Sequence, residues 1–138
     1  MTPAVLDCSI ILKWFFDEPG TSAALRIRDR IAAREYEGWI PVLALVEFAN
    51  IVWHKTERHE IDAATGRLHL ADFLNLPLLR MPLDPLIAPA LRLAHEWHIT
   101  AYDACYVALA HHLRASLMTA DRRLAKALRS GPIALEVI

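Results

Sequence analysis

Four acidic residues of this chain stand where acids are costly. Asp7 follows the apolar run AVL and precedes CSIIL. Glu47 lies inside VLALVEFANIVW, where Asn50 is the only other polar residue. Asp103 opens DACYVALA, and Asp121 follows SLMTA. The other twelve of the sixteen Asp and Glu sit among polar neighbours, at turns or on amphipathic helices. An ionised carboxylate in apolar surroundings is expensive unless it is paired, hydrogen-bonded or bound to metal. No Lys or Arg lies within four residues of Glu47 or Asp103 to pair with them along a helix. Four acids brought together repel unless a divalent cation neutralises them, and hard oxygen donors select Mg²⁺, with Mn²⁺ as the alternative. A metal so held can activate water and clamp a phosphate ester for hydrolysis. Asp7, Glu47, Asp103 and Asp121 are therefore read both as metal ligands and as catalytic residues.

Taken singly, three of the four have ordinary explanations. Asp121 fits the N-cap of the helical stretch DRRLAKALR, Thr100 and Asp103 have capping-box spacing, and Asp7 could end a strand in a turn. Glu47 has no such excuse. With Asn50 and His54 it falls at i, i+3 and i+7, a narrow polar stripe on an otherwise apolar helix, which predicts a polar cleft on that face. The joint pattern is what carries the argument.

The elements that must position these acids alternate. AVLDC, GWIPV, LLRM, SLMTA and IALEVI read as short strands. Between them, helices are expected over residues 21–34 (Gly20 preceding, Thr21 or Ser22 as cap), 42–58, 62–74, 85–97, 102–114 and 121–129. Short apolar strands with helical crossovers predict an α/β fold of three α/β/α layers, with a mostly parallel central sheet. In such sheets ligands bind beyond the carboxyl ends of the strands, where the strand order reverses. Asp7 and Asp121 sit at such strand ends.

The 138 residues suit one domain spanning 1–138. Fifteen Lys and Arg against sixteen Asp and Glu leave a formal charge of −1, so no global basic field exists to hold nucleic acid by phosphate neutralisation alone. The chain is 55% hydrophobic, with a mean hydropathy of +0.26. Lys13, Glu47 and Asp103 interrupt the longest apolar runs, so no membrane span is expected. The N-terminus lacks the features of a secretion signal, and a cytoplasmic location is expected. Cys8 and Cys105 lie in apolar segments and read as buried thiols. The apolar surplus points to an interface with another chain. Lys13 and the cluster Arg122, Arg123, Lys126 and Arg129 are the cations nearest the acids in sequence, with Lys13, Arg122 and Arg123 the candidates for contact with a phosphate backbone. His95 and His98, in HEWH, lack the further ligands of a zinc site.

The segments VLDCSIILKWFFDE, PVLALVEFANIVW, ITAYDACYVALA and LMTADRRLAKAL together resemble the four acidic motifs of PIN-domain nucleases, and most closely the toxin ribonucleases of VapBC-type toxin–antitoxin pairs. The resemblance covers essentially the whole chain. It implies a PIN-like fold and Mg²⁺-dependent endonucleolytic cleavage of RNA, with Asp7, Glu47, Asp103 and Asp121 matching the acidic quartet. Ser9 and Thr119 match the hydroxyl residues beside the first and last acids. It also implies a homodimer and a small antitoxin whose C-terminal segment occupies the groove, for which Trp14, Phe15 and Phe16 are the expected apolar contacts. The competing readings are a nuclease for structured DNA, an aspartyl phosphotransfer domain and a PIN-like module that binds without cleaving. An intact quartet disfavours the last. Cys8 and Ser9, following Asp7 in place of a second acid, disfavour phosphotransfer.

Overall fold

The apolar run near the N-terminus becomes the middle of a sheet. The computed structural model describes all residues, Met1–Ile138. The elements in chain order are β1 (Thr2–Leu6), α1 (Cys8–Leu12), α2 (Thr21–Ala32), β2 (Tyr36–Pro41), α3 (Leu43–Glu57), α4 (Ala63–Leu74), β3 (Leu79–Met81), α5 (Asp84–Trp97), α6 (Ala101–Leu113), β4 (Ser116–Thr119), α7 (Arg122–Ala127) and β5 (Leu135–Val137). All five strands run parallel, in the order β3-β2-β1-β4-β5. Val5 of β1 pairs with Trp39 on one side and Leu117 on the other. From β1 the chain winds outward through β2 to β3, then returns past β1 to β4 and β5. With right-handed crossovers, the rule for parallel strands, winding in opposite directions from β1 puts helices on both faces, as expected of three layers. The reversal falls between β1 and β4, which is where Asp7 and Asp121 emerge.

Burial explains the strand composition. Ala4, Val5 and Leu6 are at most 1% exposed, as a central parallel strand requires. Seven successive residues of α6, Ala104 to Ala110, are buried. That helix packs on β1, β2 and β4 and against α5, and it is apolar all round because it has no solvent face along that stretch. Gly66 serves close packing in α4, since a Cβ there would lie 2.7 Å from Val52 Cγ1 of α3.

Several boundaries depart from the sequence reading. The first strand stops at Leu6, and Cys8 begins α1. The Asp7 N–H still reaches Met118 O at 2.9 Å, but Asp7 is the extended N-cap residue from which the chain turns into helix. The last strand is only Leu135–Val137, because β4 gives it just Leu117, Met118 and Thr119 to pair with. The N-cap of α2 is Gly20, at φ +91°. The Thr21 hydroxyl, expected as a cap, instead accepts the Glu18 N–H at 3.0 Å and donates to Phe16 O at 3.3 Å.

The aromatic run also differs from expectation. Trp14, Phe15 and Phe16 are half-buried and pack on the core. Phe15 meets Phe48 edge to face at 5.3 Å, Phe16 meets His69 at 5.2 Å, and Trp14 Nε1 donates to Ala24 O at 2.8 Å. Part of their apolar surface is thus used inside the chain. The exposed large apolar residues lie elsewhere, among them Val46 and Trp53 on α3, Ile87 and Leu91 on α5, and Tyr102 on α6. No helix is long and apolar enough to cross a membrane.

Candidate active site

Asp7 is 7% exposed, and its burial is answered by two hydroxyls. Ser9 Oγ and Thr119 Oγ1 each donate to Asp7 Oδ2 at 2.7 Å. A hydroxyl has one proton to give and lone pairs with which to accept. Ser9 Oγ uses its acceptor side on the Ala120 N–H at 2.9 Å, and Thr119 Oγ1 uses its own on the Asp121 N–H at 3.0 Å. The end of β1 is thus tied to the end of β4 through two relays, each from a carboxylate through a hydroxyl to a backbone amide. Both hydroxyl residues singled out in the sequence serve this lock.

Glu47 lies in the first turns of α3, half-buried. Its Oε1 accepts a 2.5 Å hydrogen bond from the hydroxyl of Tyr106, which is fully buried on α6. Tyr106 was missed in the sequence. The signal existed: a phenol one turn beyond Asp103 on an all-apolar helix must find a buried partner. Asp103 sits in the first turn of α6, and its N–H donates to Thr100 Oγ1 at 3.1 Å, so the capping geometry is present. Asp121 is the N-cap of α7, accepting from the Arg123 and Leu124 amides at 3.0 and 3.1 Å through Oδ1. Asp121 caps its helix as expected, whereas at α6 the cap is the Thr100 hydroxyl and not the Asp103 carboxylate; both acids keep carboxylate oxygens toward one cation. Arg123 approaches Asp103 Oδ2 at 3.7 Å and Asp121 Oδ2 at 3.9 Å, with its side chain 79% exposed.

All four acids stand at the carboxyl edge of the sheet, and each shifted acid feels others of the set. Burial raises the Asp7 carboxyl above its ordinary range and the Asp121 charge adds to this, against the pull of the Ser9 and Thr119 hydroxyls. Burial raises Glu47, opposed by the Tyr106 hydrogen bond and reinforced by the charges of Asp7 and Asp103. Burial raises Asp103 as well, joined by Asp7 and Asp121 and countered by Arg123. The Cys8 thiol is pushed up by burial and by Glu47 and Asp7, so it is no thiolate donor.

This donor chemistry fits a hard divalent cation: carboxylates only, mutually repelling, with one exposed guanidinium as partial neutraliser. The side chains are not contracted around one point, since no group of three His, Cys, Asp or Glu is placed to hold one ion. Mg²⁺ typically keeps several waters and binds through one or two carboxylates, so an open set of acids suits it.

The structure does not gather every candidate. Asn50 is exposed and makes no hydrogen bond with the acids, and His54 is exposed too, so the polar stripe of α3 runs from Glu47 out into solvent. Lys13 pairs with Glu18 and touches no acid of the quartet. Arg122 is exposed beside Asp121. His98, in a left-handed conformation at the end of α5, lines a small hollow of about 130 Å³ with Thr100, Asp103 and Arg123.

Acids at the switch point of a five-stranded parallel sheet are the arrangement on which the family match falls. The PIN domain matches residues 4–129, and the chain belongs to the PIN-domain family. Its relatives include the ribonuclease VapC9 of Mycobacterium tuberculosis H37Rv, 35% identical over 97 residues, covering 70% of this chain and 73% of that protein. Ribonuclease VapC12 of the same strain is 32% identical over 123 residues, covering 88% and 89%. Among solved structures, PAE2754 from Pyrobaculum aerophilum superposes with a TM-score of 0.73 at 25% identity, over 97% of this chain and 83% of that one. VapBC2 from Rickettsia felis, solved bound to a DNA fragment from their promoter, shares the fold with a TM-score of 0.71 at 15% identity, over 99% and 98%.

Proposed function

We propose that this chain is the toxin component of a type II toxin–antitoxin pair, a Mg²⁺-dependent endoribonuclease that works as one domain in the cytoplasm. The observation that carries this reading is the set Asp7, Glu47, Asp103 and Asp121, drawn from four separate elements to one edge of the sheet and sharing one electrostatic neighbourhood. Relatives named as ribonucleases, at 32–35% identity, supply the substrate class.

In this reading Asp7 is the fixed ligand, held by Ser9 and Thr119, and Asp103, Asp121 and Glu47 complete the site around it. Bound there, Mg²⁺ (or Mn²⁺) supplies an activated water and charge neutralisation at the phosphate. Tyr106 orients Glu47, and Arg123 screens Asp103 and Asp121 while the cation is away. Lys13, Arg122 and Arg123 are the cations available to the RNA backbone.

The proposed partners are a small cognate antitoxin that covers the acids and a second copy of the chain. An inhibitor bearing an Arg would pair with the quartet where Arg123 now approaches it. Val46, Trp53, Ile87 and Leu91 supply exposed apolar surface for the dimer. The test is cleavage of single-stranded RNA by the purified chain with Mg²⁺, with EDTA and as Asp7→Asn. Cleavage with EDTA, or full activity of the variant, refutes the mechanism. Sedimentation alone and with the co-expressed upstream neighbour tests the partners.

A further inference from the structure

A hollow of about 380 Å³ opens beside the acids, lined by Lys13, Glu18, Gly20, Ala120 and Arg122 among others. Its volume lies within the usual range of ligand pockets, about 300–1,000 Å³. Ala120 is the wall it shares with the site, standing between Thr119 and Asp121 with its N–H on Ser9 Oγ. Of the charged side chains that line it, two are cations and one is a carboxylate.

Lys13 is its unusual member. The side chain is 12% exposed, its stem covered along the hollow and its ammonium at the hollow's wall. Its ammonium has three donors, and the protein gives it one partner, Glu18 Oε1 at 3.1 Å. Glu18 is itself one-third exposed and so is within reach of solvent. Gly20 lies against the lysine stem. A Cβ at Gly20 would lie 3.4 Å from Lys13 Cε and 3.6 Å from Cδ, and its φ of +91° disfavours any other residue. Arg122, at the first position of α7, brings a second and freely exposed cation to the rim.

A largely covered lysine whose ammonium has unused donors, an arginine at the rim and a wall one residue from the acids together describe an anion site. Lysine meets a phosphate as a point charge and arginine meets it through a fork. The acids repel a phosphate that lacks a metal, whereas this hollow attracts one. We propose that the Lys13–Arg122 hollow is a phosphate subsite for RNA, holding a phosphodiester adjacent to the one that is cut. The proposal rests on the ribonuclease reading and deepens it: gripping the neighbouring phosphate there fixes where the backbone crosses the acids.

The competing explanation is a structural ion pair, with Lys13 and Glu18 pinning the segment between α1 and α2. Binding measured without cleavage separates the two. A fluorescent single-stranded oligoribonucleotide is titrated with the protein in EDTA, by anisotropy, over a range of KCl concentrations. Lys13→Ala and Arg122→Ala should each weaken binding and flatten the plot of log affinity against log salt by about 0.7, the value for one lost phosphate contact on a single strand. Arg58→Ala, at the far end of α3, should leave the slope as in the wild type. With Mg²⁺ restored, both pocket variants should raise KM with little change in kcat. Wild-type slopes in both variants, with folding verified by circular dichroism, overturn the proposal. If Lys13→Ala does not fold, Arg122→Ala decides alone, since that residue is exposed. A wild type that cleaves no RNA, with the slope losses intact, removes the ribonuclease reading and leaves the phosphate site standing.

Discussion

Asp7 and Asp121 leave adjacent strands at the same edge of the sheet, yet their surroundings are opposite. Asp7 is buried, and both of its hydroxyl partners are fixed by backbone amides from the β4 side. Asp121 is part-exposed, doubles as a helix cap and, with Asp103, faces a guanidinium that is itself mostly in solvent. The site therefore has a rigid corner and a pliable one. A cation entering such a site meets one acid held at both hydroxyls and, at Asp103 and Asp121, an exposed guanidinium that it must displace. This is how an open set of carboxylates can serve a metal without being shaped into a cage beforehand.

The contrast is broken most directly by Asp7→Asn. Asparagine keeps an oxygen to accept from Ser9 and Thr119, so the fold survives, but the fixed charge is gone. RNA cleavage should fall by more than the 10–100-fold typical of residues that support a metal ligand, and Asp103→Asn should fall similarly. Residual activity of either variant within tenfold of wild type would remove that acid from the metal site.

Next in size are the supports. Thr119→Ala should lower cleavage by about 10–100-fold, since it frees the Asp7 carboxylate to turn. It should also cost about 1–3 kcal/mol of stability in denaturant melts, because a buried carboxylate loses a donor and the Asp121 N–H loses an acceptor. Ser9→Ala should behave alike, and milder, since Ser9 is only part-buried. Equal activity of Thr119→Ala and wild type would deny the rigid corner its role.

The acids should also leave a signature in metal-free melts. Asp7, Glu47 and Asp103 have raised folded pKa values, so the folded protein binds more protons than the unfolded chain between the ordinary carboxyl pKa, about 4, and the raised values. The associated stability is fully present below about pH 4 and is lost as pH rises through the raised values. In EDTA at pH 7, Asp7→Asn should therefore melt higher than wild type, and the gain should vanish near pH 4. Mg²⁺ should stabilise the wild type at pH 7 and the variant much less. A variant that gains nothing at pH 7 contradicts the electrostatic account.

The smallest effect belongs to Arg123→Ala. The ion pairs lost are long and solvent-screened, so stability should change by less than about 1 kcal/mol. By calorimetry, Mg²⁺ should bind a few-fold more tightly, because a competing cation is removed. Weaker Mg²⁺ binding would mean that Arg123 orders the pliable corner rather than screening it.

The acids were legible in the sequence because each breaks the polarity of its own segment, and the fold was legible because its strands and helices alternate cleanly. Long elements such as α3 fell within a residue of expectation, since periodicity over fifteen residues leaves little freedom. The ends of β1 and β5 did not, because they depend on how far the neighbouring strand extends, which is no local property. Tyr106 was hidden for a similar reason: its partner is 59 residues away. The inward packing of Trp14, Phe15 and Phe16 was not legible, because a run of aromatics looks the same whether it packs inward or awaits a partner. Only the positions of Phe48 and His69 decide that.

Thr119 lies 112 residues beyond the aspartate it holds. A ribosome delivers Asp7, Glu47 and Asp103 first, and the rigid corner cannot close until β4 has emerged and docked beside β1. On the proposed activity, a partly made chain still tethered to its own messenger carries three of the four acids and cannot use them. Premature stops upstream of Thr119 should yield inert fragments. The order in which parallel strands are laid down thus works as a timer on the chemistry.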